Sequence, residues 1–422
     1  MATLSHQDII NILIALSIIL IGSRLLAELF KKINLPTVLG EIVFGIIIGP
    51  TFFGYYFPET FEYVFPFISE NTEYAQVQIG MGTITELAII MLLFVAGLEV
   101  QMPVVIRQGK VALTTTLFGM LVPIAVGFLG VLLLPEYLEV NGDTDTVVYG
   151  FFIGVILSIT ALPVIARILM DLKMFKTEIG MVIIASAMLI DLLGWLVFSV
   201  LLTMMDPSHD RNVLMTIISV VIFMGVLLTI GTKLFDKALP WIQSKFSWPG
   251  GVLSISLGLA FLGAAFTEAI GIHSILGSFI VGVAIGDSSN LRENTREIIM
   301  QFVMNIFAPL FFVSIGLYIN FIESFDFGLV LTLTILAYVS KIIGATVGAR
   351  LGGMPKKQSL TIGMAMNTHG ALEIILGSLA LNMGFITQEF FVAIVVMVII
   401  SIITAAPLIK LFPIEIEGKK NR

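Results

Sequence analysis

Apolar residues along this chain gather into runs about 20 residues long, divided by short polar stretches. A run of that length crosses ~30 Å of hydrocarbon as a helix. The pattern predicts thirteen spans, at 8–30, 36–54, 82–99, 111–134, 148–171, 179–204, 213–235, 250–267, 270–287, 300–320, 328–350, 358–383 and 389–412. The ninth is the shortest and most polar, and only a few residues part it from the eighth. The fold class expected is an all-α polytopic membrane protein.

Composition sharpens that picture. Of 422 residues, 58% are hydrophobic and 12% charged, against roughly 25% charged in an ordinary soluble domain. Cysteine is absent, which excludes a disulfide framework and thiolate chemistry. The net charge of −7 is scattered without a basic block, so nucleic acid is not an expected partner and the lipid bilayer is. The N-terminus lacks a basic region or cleavage site ahead of its first apolar run, so that run reads as a retained span. With the N-terminus outside, the inner face receives every Lys and Arg except Arg211 and the intramembrane Lys341. Glu59, Glu62, Glu70, Glu73, Glu136, Glu139, Asp143, Asp145, Glu323 and Asp326 decorate the opposite loops. This alternation predicts an odd number of spans with the C-terminus cytoplasmic.

The chain also echoes itself. Residues 38–49 (VLGEIVFGIIIG) match 275–286 (ILGSFIVGVAIG) at a constant offset of 237, with three glycines in register. A second echo pairs Leu93-Phe94-Val95-Ala96-Gly97-Leu98 with Phe311-Phe312-Val313-Ser314-Ile315-Gly316-Leu317. Small residues recur in packed membrane helices anyway. Two echoes in the same order, in spans of opposite direction, predict inverted-topology repeats of the kind that build secondary transporters. Six-helix repeats are expected at 1–204 and 250–412, joined through 205–249 and followed by a short cytoplasmic tail at 413–422.

Ionisable residues at membrane depth are costly and mark function. Asp191 stands midway along the sixth span and Lys341 midway along the eleventh. A lone buried carboxylate holds a proton or a cation, hardly both at once, which is the minimal chemistry of exchange. Lys341 calls for a carboxylate partner, Asp191 or alternatively Glu373; a purely structural pair tying two helices together is the bland reading. Two spans are interrupted at corresponding places. Ser158-Ile159-Thr160-Ala161-Leu162-Pro163 contains a residue that cannot donate to the helix ladder. Asn367-Thr368-His369-Gly370 with Glu373 is polar and carries a glycine. Such interruptions are either simple kinks or unwound backbone lining a cavity, where freed carbonyls and half-helix ends meet an ion. Glu41 and Glu86 either line an access path or bridge helices, Glu99 and Glu268 read as interfacial, and His369 is either titratable or hydrogen-bonded structure. No phosphate loop, zinc pattern or nucleophile elbow occurs, so an enzyme is not expected.

Leu39-Gly40-Glu41 through Gly49-Pro50, Leu92-Leu93-Phe94-Val95-Ala96-Gly97-Leu98-Glu99, Ser158-Ile159-Thr160-Ala161, Ile190-Asp191-Leu192-Leu193-Gly194-Trp195, Ile275-Leu276-Gly277-Ser278-Phe279 and Met366-Asn367-Thr368-His369-Gly370-Ala371-Leu372-Glu373 follow one another along almost the whole chain. Together they resemble the cation–proton antiporter superfamily, in particular the branch of Kef-type, GerN-like and plant cation/proton exchanger proteins. The resemblance implies the sodium–proton antiporter fold: a homodimer of thirteen-span protomers in which a core domain (about 82–204 and 300–412) moves like an elevator against a dimerisation domain (about 1–54 and 213–287). It makes spans 5 and 12 the crossed, broken helices. It puts Asp191 at the ion- and proton-binding position, with Thr160 and Ser158 as ion ligands and Lys341 as the charge-compensating lysine of electrogenic members. Na⁺ or K⁺ exchanged for H⁺, without a cofactor, across a bacterial inner or plasma membrane is the expected activity. Ile190 departs from the Asp or Asn usual before the aspartate, and His369 stands where a related branch has arginine. Loss of the first acid argues for electroneutral exchange, retention of Lys341 for electrogenic exchange. Kef-type relatives often carry a cytosolic nucleotide-binding domain, for which this chain leaves no room. The competing readings are a proton-coupled transporter of a small anion on the same plan, or a membrane sensor that no longer transports.

Overall fold

In a computed structural model the described residues are 5–33, 35–68, 74–139, 145–205, 213–246 and 249–411. Glu70, Glu73, Asp143, Arg211 and the tail 413–422 lie outside them. The described chain is helical, with no strand. In chain order the helices are α1 His6–Lys32, α2 Thr37–Ile48, α3 Phe53–Tyr56, α4 Pro58–Val64, α5 Ala75–Glu99, α6 Met102–Leu133, α7 Thr146–Ser158, α8 Leu162–Asp171 and α9 Glu178–Met205. They continue as α10 Val213–Val226, α11 Thr232–Lys245, α12 Gly250–Ala269, α13 Ser274–Gly286, α14 Glu293–Tyr318, α15 Phe327–Gly352, α16 Lys356–Met366, α17 Ala371–Asn382 and α18 Gln388–Lys410.

Among the described residues eleven helical segments are long and apolar enough to cross a membrane. Helices are the form such segments take because each satisfies its own backbone groups without water. Three of the thirteen predicted spans are built differently, the fifth being two helices, α7 and α8, parted at residues 159–161. The ninth is only the 13-residue α13, every residue of which is buried. The twelfth is two helices, α16 and α17, parted at residues 367–370. The seventh carries a π-helical turn, Leu227–Gly231, between α10 and α11.

Packing divides the chain into two compact units, Met1–Val100 with Leu214–Phe325, and Gln101–Val213 with Asp326–Arg422. The grouping expected for a core domain had begun at 82 and 300. Here α5 and α14 fall in the first unit instead. The physical reason is backbone contact through glycine. A Cβ on Gly45 of α2, or on Gly49 just beyond its end, would overlap the carbonyl oxygens of Val313 and Gly316 on α14. A Cβ on Gly97 of α5 would overlap that of Phe279 on α13, and one on Gly282 that of Phe94. The two sequence echoes therefore pack crosswise, forming two helix pairs of one kind, and small residues are what such pairs require. Their ends are closed differently. Thr51 Oγ1 donates to the Ile319 carbonyl (3.4 Å) and accepts from the Phe321 N–H (3.0 Å). Arg296, placed at the inner face by its sequence, is 8% exposed and donates to the carbonyls of Leu98 (3.0 Å) and Gly286 (2.6 Å).

In the second unit α6 and α15 make the corresponding close approach, Gly344 and Gly348 lying on the Phe118 and Thr114 carbonyls. An apolar core that includes Ile165, Leu169, Ile183, Ala187, Ile190, Ala345, Ile362 and Ala365 fills the space between these helices and α8, α9 and α16. Gly109 (φ 53°, ψ −127°) interrupts α6, so the predicted start of this span near 111 coincides with the true beginning of its straight part.

Candidate ion-binding site

Pro163 occupies the first turn of α8, where a missing N–H costs nothing, and it disfavours helical geometry at Leu162. The chain accordingly leaves α7 at Ser158, runs extended through Ile159 (φ −71°, ψ 156°) and Ala161 (φ −75°, ψ 97°), and re-enters a helix. The second break runs from Asn367 to Gly370, which is extended (φ −169°, ψ −144°). The two breaks meet. Ala161 N–H donates to the Thr368 carbonyl (2.7 Å), and Thr160 Oγ1 donates to the Met366 carbonyl (2.8 Å). A Cβ on Gly370 would overlap the Ala161 methyl. Ser158, Thr160 and Thr368 have no exposed surface. Each break thus supplies partners for backbone groups that the other leaves open, which is what makes unwound chain tolerable at this depth.

Charge gathers around this crossing. Lys341 on α15, fully buried, donates its ammonium to the Ser158 carbonyl at the end of α7 and to the Gly119 carbonyl (3.3 Å) on α6. Glu373 and Asp191 are carboxylates whose charge acts on it. Asp191, on α9, is 3% exposed. Ile190 beside it packs toward Gly119, its Cδ1 3.6 Å from where a side chain there would begin. Ile190 thus brings hydrocarbon beside Gly119, and the lysine is seated on backbone oxygen. At the other break Glu373, also fully buried, accepts from the Gly370 N–H (2.9 Å) through one oxygen and meets His369 Nδ1 (3.0 Å) through the other. Positive charge thus faces the C-terminal end of α7 and negative charge the N-terminal end of α17, each complementing the half-helix dipole it meets.

The hydroxyl hydrogens are already committed. Ser158 Oγ donates to Val155, Thr160 Oγ1 to Met366 and Thr368 Oγ1 to Ala365. Their oxygens keep lone pairs for a cation. The side-chain amide of Asn367, 1% exposed, makes no hydrogen bond among the described residues. Sequence reasoning missed two participants: the Gly119 carbonyl, and Ser401 of α18, which accepts from the His369 backbone N–H (3.1 Å). Ser401 stands in an unbroken apolar run with no motif around it. Glu41, Glu86, Glu99 and Glu268 belong to the first unit. Among them Glu41 is buried, and Glu268 is exposed and accepts from the Ser274 N–H (2.9 Å). Among the described residues no cluster of three or more His, Cys, Asp or Glu is placed to hold a resident metal.

Residues 14–411 match the model of the family described as sodium/hydrogen exchanger, transmembrane. The chain belongs to the sodium/hydrogen exchanger family. Among its relatives is the Na(+)/H(+) antiporter NhaS4 of Synechocystis sp., 29% identical over 95% of this chain and 97% of that one. The Na(+)/H(+)-K(+) antiporter GerN of Bacillus cereus is 27% identical over 94% of each. The Cation/H(+) antiporter 17 of Arabidopsis thaliana is 29% identical over 94% of this chain, which spans 48% of that longer protein. Among solved structures, the sodium proton antiporter MjNhaP1 of Methanocaldococcus jannaschii superposes with a TM-score of 0.65 at 17% identity, covering 95% of this chain and 99% of that one. This exchanger-family chain therefore has the fold of that antiporter, and the polar crossing described above lies wholly within its second unit.

Proposed function

We propose that the chain exchanges a monovalent cation, Na⁺ or K⁺, for H⁺ across a bacterial plasma membrane. The observation that carries this reading is Asp191, buried in the same unit as two mutually hydrogen-bonded breaks and a fully buried lysine. The Asp191 carboxylate holds either the cation or a proton, so each displaces the other. Thr160 and Ser158 offer oxygens whose hydrogens are spent on backbone carbonyls, and such oxygens favour a hard monovalent cation. Lys341 compensates charge from its seat on the Ser158 and Gly119 carbonyls. Asn367, Thr368, His369 and Glu373 furnish the polar flank of the second break.

Alternating access follows an elevator, the second unit carrying the site while the first, paired in a homodimer, anchors the assembly. The fold shared with a sodium proton antiporter and the antiporter names of the relatives support this reading. The test is a proteoliposome with a trapped pH dye. NaCl or KCl added outside is expected to move the internal pH in the wild type and to do nothing in Asp191→Asn. A pH change that needs an anion and no particular cation, or one that survives Asp191→Asn, would sink the reading.

A further inference from the structure

The seventh span ends in a charged ridge that the site around Asp191 does not use. From Val213 to Thr232 the chain carries no charge, and as α10, the π-helical turn and the start of α11 it rises about 30 Å. That is the thickness of the hydrocarbon. α11 runs on past it, so Lys233 and the residues after it stand at headgroup level. Lys233, Lys237, Trp241 and Lys245 recur at every fourth position, which sets them in a row along one helix face. All four are exposed, Trp241 by 57%. Elsewhere α11 is held by the protein. Leu239 and Ile242 are buried. Asp236 accepts from the hydroxyls of Ser288 (2.5 Å) and Ser289 (3.3 Å). Asn290 Nδ2 donates to the Asp236 carbonyl (2.9 Å), and Gln243 Nε2 donates to the Asn290 carbonyl (3.0 Å). The turn between α13 and α14 thus pins the helix and occupies its one acid. None of the three lysines makes an ion pair among the described residues.

We infer that this ridge is a docking surface for the headgroups of anionic phospholipids. Other basic side chains find partners inside the protein: Arg24 on Glu28, Arg296 on two carbonyls, Arg350 on the Met354 carbonyl. The α11 lysines do not. Like charges one turn apart repel one another, and the acid that could offset them is spent on Ser288 and Ser289. Three ammonium groups in a row therefore call for negative charge from outside the chain. A phosphodiester of the surrounding bilayer supplies it at the same depth. Basic residues beside a span attract an anionic leaflet, and lysine stems lie along apolar surface while their heads reach the phosphates. Trp241, between Lys237 and Lys245, adds an amphipathic ring of the kind that settles at the membrane–water boundary. Phe246 backs it edge-on, the ring centroids 5.8 Å apart. A zwitterionic headgroup offers the ridge no net charge. Nothing in this surface draws on the cation site, so the two readings stand or fall separately.

The experiment follows thermal unfolding of the full chain in a neutral detergent with added dioleoylphosphatidylglycerol, which is anionic, or dioleoylphosphatidylcholine, which is zwitterionic. The wild type is expected to gain several degrees from the first lipid and little from the second. The gain is expected to shrink in about 0.5 M choline chloride, which screens charge without supplying Na⁺ or K⁺. The triple variant Lys233→Gln, Lys237→Gln, Lys245→Gln is expected to lose most of the gain, and arginine at the same three positions to keep it. Should the glutamine variant fold poorly, native mass spectrometry of the wild type and Lys237→Gln alone counts the phosphatidylglycerol each retains, with less expected on the variant. Equal retention, an equal gain in wild type and triple variant, or an equal gain from the two lipids overturns the surface. Glycerol phosphate, the same headgroup chemistry without acyl chains, is expected to give no gain. A gain matching that of the lipid would make a soluble phosphate the occupant and overturn the proposal. A changed oligomeric state in the triple variant with an unchanged lipid response would make the ridge a contact between copies of this chain, and overturn it too.

Discussion

The two breaks in the second unit occupy corresponding places, yet each is held open by different chemistry. The first is a proline break with hydroxyls and no charge of its own. Its open half-helix end, the buried Ser158 carbonyl, is satisfied by an ammonium that arrives from α15. The second brings its own charge: Glu373 closes the first turn of α17 on the Gly370 N–H, and His369 leans on the same carboxylate. One break therefore depends on a distant side chain, the other on residues three and four positions along its own chain. The lesson is about division of labour. A neutral break leaves lone pairs on its hydroxyl oxygens, whereas a charged break keeps its geometry with local bonds.

Removing the distant charge is the harshest way to break this comparison. Lys341→Met withdraws the partner of two buried carbonyls and leaves Glu373 and Asp191 uncompensated. Stripping one member from a buried charge network costs about 3–5 kcal/mol. The apparent melting temperature in detergent is expected to fall further for Lys341→Met than for Glu373→Gln, whose amide can still accept from Gly370. The reverse order would show that the second break, not the first, leans on remote support.

The contact between the breaks gives a smaller effect. Gly370→Ala drives a methyl into the Ala161 side chain, and overpacking of this kind costs about 1–3 kcal/mol. Ala161→Gly on the same chain removes the obstruction, so the double variant is expected to recover most of the lost stability, a non-additivity characteristic of residues in contact. Strict additivity of the two changes in thermal unfolding would mean that the breaks do not touch there.

Much of this site is legible in the sequence because charge is conspicuous in hydrocarbon. Asp191 and Lys341 stand out of apolar runs, and Pro163 and Gly370 announce interruptions. What the sequence withholds is who meets whom. Lys341 finds backbone carbonyls at Ser158 and Gly119, and a carbonyl has no side-chain signature. Ile190 packs toward Gly119, whose carbonyl receives Lys341, and no motif around either residue announces it. The unit boundaries are hidden for a related reason. Gly97 and Gly316 mark close approaches without naming the partner helix, so α5 and α14 were expected with the core although their glycine faces bind them to α13 and α2. The short, wholly buried α13 shows the limit of reading spans by length.

The gentlest test lies at the far ends of the same broken pairs. Glu139, in the turn that precedes α7, accepts a hydrogen bond from Thr387, the residue that caps α18 after α17. Burial raises the Glu139 carboxyl above its ordinary value of 4.5; the Thr387 hydroxyl opposes this, and Glu389 and Asp326 add to it. A carboxyl raised in the folded state binds its proton more readily there than in the unfolded chain. Its contribution to stability is therefore complete below 4.5 and is lost as pH rises through the folded value. Glu139→Gln stays neutral and still accepts from Thr387, so it lacks this decline. Thermal unfolding from about pH 4.5 to neutrality should find the two proteins close at the acid end and the variant more stable at the other. The difference is expected to be the smallest of the three, because Glu139 is only half buried and solvent screens it. Parallel curves would mean that the link between the outer ends of the broken pairs carries no proton-sensitive charge, leaving the pH response of this unit to the residues at its breaks.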